Sequence, residues 1–347
     1  MGLQRGVSSN VKILLSADPF IPVPPTGYGG IERIIDSLAR AFRNKGHAVG
    51  LVAHPDSKCD VDCLYKWDAK GNIGDALDLR KFTRDFCPDV LQSFSRLAYL
   101  VPQLASRLPK VMSYQRHTGG RQIQIASMLG GRSLTFTGCS EYIASMGRRS
   151  GGDWRAIHNF VELSKIDFRP TVAADAPLLF LSRIESIKGP DLAIEIARRS
   201  GRKLILAGNR PTAGSELDFW SQRVAPAVDS GEVDWVGEVD DVRKNELLGQ
   251  AAALIVPIQW GEPFGIVFAE ALAAGTPVIT CQRGATPEIV DPGITGFFVT
   301  DAASGAQAVS RLGAIDRRAC RKAAEERFSS KACADLYLAL YQEKIGR

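Results

Sequence analysis

No apolar run in the 347-residue chain reaches the roughly 18 residues that a membrane-spanning helix needs, and the N-terminus lacks the apolar core of a secretory leader. A bilayer crossing is therefore not expected, and the Ser-, Gly- and Asn-rich first ten residues read as a loose tail. A disulfide framework is missing too. The seven cysteines, at positions 59, 63, 87, 139, 281, 320 and 333, are odd in number, scattered and mostly set in apolar or helical surroundings, the usage of a reduced cytoplasmic protein. Cys59 and Cys63 have no second ligand pair at zinc spacing, so no metal is expected there. No basic run carries interleaved aromatics, which removes nucleic acid from the expected partners. Absent as well are the Gly-x-Gly-x-x-Gly turn and following acid of a dinucleotide fold, and any Ser-His-Asp set or close carboxylate pair suited to hydrolysis.

What is present suits a folded chain of more than one core. With 45% hydrophobic and 23% charged residues the composition is that of an ordinary soluble globular protein, and the length suits two domains of about 150 residues each. The charge is uneven. Lys and Arg outnumber Asp and Glu 23 to 15 over residues 1–170, whereas the remainder has 20 against 23. The basic first half fits either a solvated basic face or an anionic, lipid-linked or membrane-surface acceptor, with Arg116, Arg121, Arg148 and Arg149 as its contacts.

The stretch from Val256 to Cys281 organises the second half. Two apolar runs of strand length, Ala252 to Pro257 and Thr276 to Cys281, flank a segment that is apolar on every face except Glu270 and is closed by Gly275, which predicts a short buried helix between buried strands. Pro263 suits the first helical position, because its missing N–H would have no partner there. The amides of Phe264, Gly265 and Ile266 then form an anion site at the positive end of the helix dipole, with Gly265 leaving the backbone open to a phosphate. Eight helical residues put Glu262 and Glu270 roughly 12 Å apart along the axis. That ruler fits a nucleoside diphosphate sugar, with hexose hydroxyls on Glu262, phosphate on the amides and ribose on Glu270. The alternative is a capped core helix whose Glu270 pairs with a basic side chain.

Around this stretch the chain alternates strands and helices. Val11 to Ala17 and His47 to Ala53 read as strands joined through the Gly29-Gly30 turn and a helix to about Lys45, a right-handed β-loop-α-β unit whose glycines let a ligand approach the backbone. Asp89 to Phe94, Lys110 to Tyr114 and Leu134 to Thr137 read as further strands, and His117 follows one of them at the ligand edge, as a ligand contact or as an ordinary surface histidine. Asp60-Val61-Asp62 has the form of a metal-binding Asp-x-Asp, but it falls in a loop without other nucleotide features and reads as surface charge. Leu178 to Ser182, Lys203 to Ala207 and Val233 to Val236 begin a second sheet. Arg183 and Lys188, in the turn entering a helix, are placed to converge on one diphosphate or to stand solvated. Val239, Asp241 and Lys244 open another helix, where they serve either as capping or as an edge that reads a uracil or guanine ring.

Glu262 and Glu270 with seven residues between them, followed by Ala273-Ala274-Gly275-Thr276-Pro277, resemble the Glu-x7-Glu motif of glycosyltransferase family 4. Gly29-Gly30-Ile31-Glu32, the Arg183-x4-Lys188-Gly189 run and Arg283-Gly284-Ala285-Thr286-Pro287-Glu288 extend the similarity over nearly all of residues 11 to 300. Ser182, Phe160 and Thr118 depart from the family pattern. The resemblance implies the α/β GT-B fold: two doubly wound Rossmann-like domains facing across a cleft, with the acceptor on the first and the donor on the second. With the Pro- and Ala-rich Arg169 to Pro177 as boundary, the expected domains are 11–170, 171–330 and a C-terminal helix, 331–347, packing back towards the first domain. The resemblance further implies a retaining transfer from a nucleoside diphosphate sugar, UDP-linked first and GDP-linked second, to a glycan, lipid-linked or small-molecule acceptor. Glu262 and His117 would contact the donor sugar, Glu270 the ribose, Arg183 and Lys188 the diphosphate, and Gly29-Gly30 the phosphate and acceptor. No cofactor and no metal are expected, and the cytoplasm or the inner face of its membrane is the expected location. A sugar-nucleotide epimerase or hydrolase on the same fold, and a non-catalytic nucleotide-sugar sensor, remain as alternatives.

Overall fold

The computed structural model describes residues 10–26, 29–68 and 70–346, so the expected tail up to residue 9 and the Gly27-Tyr28 step of the glycine loop lie outside the described residues. The chain forms two units, one of residues up to His158 together with Cys333 onward, the other Asn159–Ala332.

The first unit is built on a parallel sheet of β1 (Lys12–Ser16), β2 (Ala48–Ala53), β3 (Cys63–Lys66), β4 (Val90–Ser93), β5 (Lys110–Tyr114), β6 (Leu134–Gly138) and β7 (Trp154–Ala156). Its spatial order is β3-β2-β1-β4-β5-β6-β7, with Ser16 opposite both Val52 and Ser93. Parallel strands are covered on both faces, which is why they read in sequence as continuous apolar runs; Ile13, Leu14 and Leu15 are fully buried. The helix Gly30–Asn44 follows the expected loop and buries Ile34, Ile35, Leu38, Ala39 and Phe42, a stripe at helical spacing. Residues 333–347 complete this unit within the helix Ser330–Ile345. Its buried Tyr341 donates to Gln92 Oε1 at 2.5 Å, Tyr337 and Ser113 share a hydrogen bond of 3.3 Å, and Lys344 reaches Asp153 at 2.5 Å.

The second unit repeats the winding with β8 (Leu178–Leu181), β9 (Leu204–Ala207), β10 (Val233–Gly237), β11 (Ala253–Ile255), β12 (Val278–Thr280) and β13 (Gly296–Phe298), in the order β10-β9-β8-β11-β12-β13. Residues 159–170, placed by composition before the boundary, pack with this unit: the Val161 amide donates to Phe328 O at 2.8 Å, and Arg321 Nη1 to Ile166 O at 3.2 Å. Among the described residues no helix is long and apolar enough to cross a membrane.

Candidate functional site

In the second sheet, β8 and β11 lie side by side while the chain winds away from them in opposite directions, and the loops leaving such neighbours form the crevice where open α/β sheets take ligands. The loop after β8 carries Arg183 and Lys188; the loop after β11 carries Trp260 and Glu262. They are knit together by Gln259, whose amide donates to Ile187 O at 2.8 Å. Lys188 Nζ stands 2.6 Å from Glu262 Oε2, and Trp260 Nε1 donates to the same oxygen at 2.9 Å. The ammonium also lies 5.0 Å from the Trp260 ring centroid. Both charged side chains are 11% exposed, so the pair sits where its Coulomb attraction is weakly screened. The Arg283–Glu288 turn holds the backbone beneath it: Ala285 N donates to Glu262 O at 2.8 Å, and a Cβ on Gly284 would stand 2.3 Å from Glu262 N. Only glycine fits that contact. Trp260, which sequence reasoning passed over, orients Glu262 with its indole N–H; an aromatic with a polar tip two residues before the acid was the available signal.

The helix does not begin at Pro263. It runs Ile266–Ala274, with Gly265 as its N-cap at φ 86° and ψ 68°. That left-handed conformation, and a Cβ position only 2.5 Å from Phe268 Cδ2, reserve the position for glycine. Phe264 is buried, with its ring 5.8 Å from that of Phe328. The amides opening the helix are therefore those of Ile266 and Val267, ahead of Phe268, whose N–H donates to Gly265 O at 3.0 Å. Of the expected trio Phe264, Gly265 and Ile266, only Ile266 lies within the helix, and the helical ruler from Glu262 to Glu270 fails because Glu262 precedes it.

Glu270 has the donor that its apolar neighbours demand. Lys244 Nζ lies 2.6 Å from Glu270 Oε1 and 3.0 Å from Asp241 Oδ1. Burial works against the Lys244 charge, but Glu270 and then Asp241 outweigh it and raise its pKa above the ordinary lysine value. Asp241 and Lys244 open the helix Asp241–Gln250, which Asp240 caps by accepting from Arg243 N at 2.8 Å; Val239 lies half-buried just before it. Arg183 is 60% exposed and pairs with Glu185 at 2.5 Å, so it and Lys188 have different partners rather than one shared point.

In the first unit, Gly30 begins the helix and Gly29 precedes it, packed so that a Cβ would meet Pro25 Cβ at 2.7 Å. His117 is exposed after β5, its ring edge-on to Tyr142 at 5.6 Å. Asp60 and Asp62 are tied to Arg43, at 2.5 and 3.7 Å, and Asp62 accepts from Val49 N at 2.7 Å.

Two doubly wound sheets, one with the Lys188–Glu262 pair at its switch point, define an α/β protein of the GT-B glycosyltransferase architecture. Residues 167–327 match the family described as Glycosyl transferases group 1. That match covers most of the second unit, including the stretch that carries the Glu-x7-Glu spacing. The D-inositol 3-phosphate glycosyltransferase of Mycobacterium bovis is 33% identical over 181 residues, 48% of this chain and 37% of that protein. The chain spans less than half the length of the first curated relatives it matches. The crystal structure of AviGT4, a glycosyltransferase involved in avilamycin A biosynthesis, aligns with a TM-score of 0.72 at 25% identity, over 97% of this chain and 98% of that one. Anabaena Alr3699/HepE in complex with UDP-glucose shares the fold at a TM-score of 0.73 and 17% identity, over 96% and 100% of the two chains.

Proposed function

We propose that the protein is a retaining glycosyltransferase that moves a hexose from a nucleoside diphosphate sugar, UDP-linked before GDP-linked, to a hydroxyl of a glycan, lipid-linked or small-molecule acceptor. The observation that carries this reading is the Lys188–Glu262 pair, held by Trp260 and Gly284 at the switch point of the second sheet. An ammonium has three donors, so Lys188 holds the carboxylate and still offers N–H to a phosphate. Glu262 then accepts from hydroxyls of the transferred sugar, and Glu270, fixed by Lys244, accepts from the ribose. Asp241, Lys244 and the backbone near Val239 meet the base. Arg183, Lys188 and the first amides of the Ile266–Ala274 helix stabilise charge on the departing diphosphate, preorganised positive charge taking the place of a metal. His117 and Gly29-Gly30 of the first unit serve the donor sugar and phosphate. The departing phosphate helps to deprotonate the acceptor on the same face, which retains the anomeric configuration. The solved neighbour bound to UDP-glucose supports UDP as the first donor to test.

The first unit also offers a membrane contact. Its helix Arg121–Gly130 contains no acidic residue and turns Ile125, Met128 and Leu129 outward, Met128 at 84% exposure, with Arg121 and Arg132 at its ends. This arrangement suits an anionic lipid surface. Vesicles containing phosphatidylglycerol should retain the protein at low salt and release it at high salt.

The decisive assay follows radiolabelled UDP- and GDP-hexoses with an acceptor panel in excess EDTA. Transfer should persist in EDTA with the product anomer matching the donor, and Asp60→Ala should transfer like the wild type. Activity lost in EDTA and restored by manganese or magnesium would overturn the metal-free mechanism; failure to bind any nucleoside diphosphate would overturn the function.

A further inference from the structure

The turn that carries Lys188 has little to hold it from within. Ser186–Lys188 is a single 3₁₀ turn after β8 whose three residues are all half-buried, and one such turn is too short to fix its own geometry. Neighbouring segments fix it instead. Its entry is set by the loop after β9: the Ile184 amide donates to Asn209 O at 3.0 Å, and a Cβ on Gly208 would stand 1.9 Å from Ser182 O. Its exit is set by the loop after β11, where the Gln259 amide holds Ile187 O and a Cβ on Gly189 would meet Pro257 O at 2.3 Å. The third anchor is a charge. Glu216 Oε2 accepts from Ser186 N at 2.7 Å and Glu216 Oε1 from Ser186 Oγ at 2.7 Å, so one carboxylate takes both donors of the residue two positions before Lys188.

Glu216 is the third residue of the helix Gly214–Phe219, where a glutamate ordinarily turns back to the free amides of its own first turn. Here both of its oxygens reach instead to a residue 30 positions away. A two-point, charge-assisted grip fixes orientation as well as distance. Orientation matters because Lys188 has three donors to divide. Once the ammonium shares them between Glu262 and a phosphate, its side-chain contacts no longer fix it alone, and the backbone of the turn must keep its place. We infer that Glu216 is a positioning residue: it holds the Ser186–Lys188 turn so that the Lys188 ammonium stands where the departing diphosphate gathers charge. Its role in transfer rests on the glycosyltransferase reading; the grip on the turn does not. A contrast lies further along the same helical run. Arg223, on the π-helical turn that continues the Glu216 helix, pairs at 3.3 Å with Asp191, three residues past Lys188, but it is 60% exposed, and such a pair holds little.

Double-mutant kinetics on the full chain, with the UDP- or GDP-hexose that the wild type turns over, test it. Glu216→Ala should lower kcat about tenfold, less than the loss of the lysine itself because Gln259 and Glu262 still hold the turn. The donor KM should move less than about threefold, since the charge that Lys188 meets grows only as the bond breaks. Ser186→Ala keeps its amide and should cost about threefold, and in the Glu216→Ala background it should cost nothing further. Glu216→Gln should restore most of the turnover, because its amide oxygen can accept from Ser186 N–H while its NH₂ donates to Ser186 Oγ. Arg223→Ala should match the wild type. Hydrogen exchange over residues 183–189 reads the grip without substrate: it should quicken in Glu216→Ala and not in Glu216→Gln. Wild-type kcat in Glu216→Ala, additive losses in the double variant, or a Glu216→Gln loss as deep as that of Glu216→Ala would overturn the proposal. A wild type that transfers no hexose sinks the glycosyltransferase reading, while faster exchange in Glu216→Ala leaves the grip standing; full transfer by Glu216→Ala sinks the positioning role and leaves that reading intact.

Discussion

In the second unit, partly buried cations meet carboxylates: Lys188 is 2.6 Å from Glu262 at the switch point, and Lys244, on the helix after β10, is 2.6 Å from Glu270. The first unit, wound in the same way, treats charge differently. It encloses Lys110 among neutral oxygens, with Nζ donating at 2.8 Å to Ser106 O and to Leu108 O, and among the described residues it leaves Asp18 Oδ1 without a donor. Matched pairs hold their geometry before a ligand arrives, and they offset desolvation by mutual attraction. A site that must present fixed charge to a diphosphate gains from such preorganisation.

The largest expected effect separates pairing from exposure. Lys188→Ala leaves Glu262 buried with only the Trp260 indole, and it should lower stability by about 3 to 5 kcal/mol, the usual cost of orphaning a buried charge. Arg183→Ala removes a side chain that is 60% exposed and should change stability by about 1 kcal/mol or less. Both variants should nonetheless lose ~10² to 10³ in turnover, as when a preorganised oxyanion donor is removed. Urea melts run beside the donor assay read the two quantities. Equal destabilisation of the two variants, or Lys188→Ala retaining turnover, would break the contrast.

Much of this frame was legible in the chain because strands buried on both faces announce themselves as apolar runs: β1, β2, β4, β5 and β6, and the first five strands of the second sheet, all fall where the sequence places them. The edge strands β3 and β7 did not, since four residues without a buried one and three residues carry no readable period. Lys188, Glu262, Lys244 and Glu270 could each be singled out, but not how they pair, because Lys188 and Glu262 lie 74 positions apart and no local pattern records their meeting. The helix start was misplaced because Pro263 satisfies the local rule for a first helical residue, whereas Phe264 is drawn into the core and Gly265 makes the turn instead.

The next comparison tests whether the Lys244–Glu270 pair serves the nucleotide or only the fold. Glu270→Ala should weaken UDP binding by about 1 to 3 kcal/mol, the cost of a lost hydrogen-bonding partner in a buried site. Calorimetry gives the number directly. Unchanged affinity would reduce the pair to a structural clamp between two helices and would refute the ribose assignment.

The smallest effect concerns the two kinds of buried lysine, which should carry opposite pH signatures. Lys110 is 1% exposed and donates to the neutral oxygens of Ser106 and Leu108, and burial pushes its pKa down from 10.5 to about 8. Between about pH 8 and 10.5 the unfolded chain therefore binds a proton that the folded protein does not, so stability should rise with pH across that window. Below it both states are protonated and the burial cost is present in full. Relative to Lys110→Met, the wild type should gain about 1 kcal/mol between pH 8 and 9. Lys244 works the other way. Its pKa is raised in the folded state, so the stability it contributes is complete below the ordinary lysine value and is lost as the pH climbs through the raised one. Relative to Lys244→Met, the wild type should hold steady between pH 8 and 9 and decline only at higher pH. Urea midpoints for the three proteins at closely spaced pH values read both slopes, and parallel slopes would mean that the two units treat their buried lysines alike.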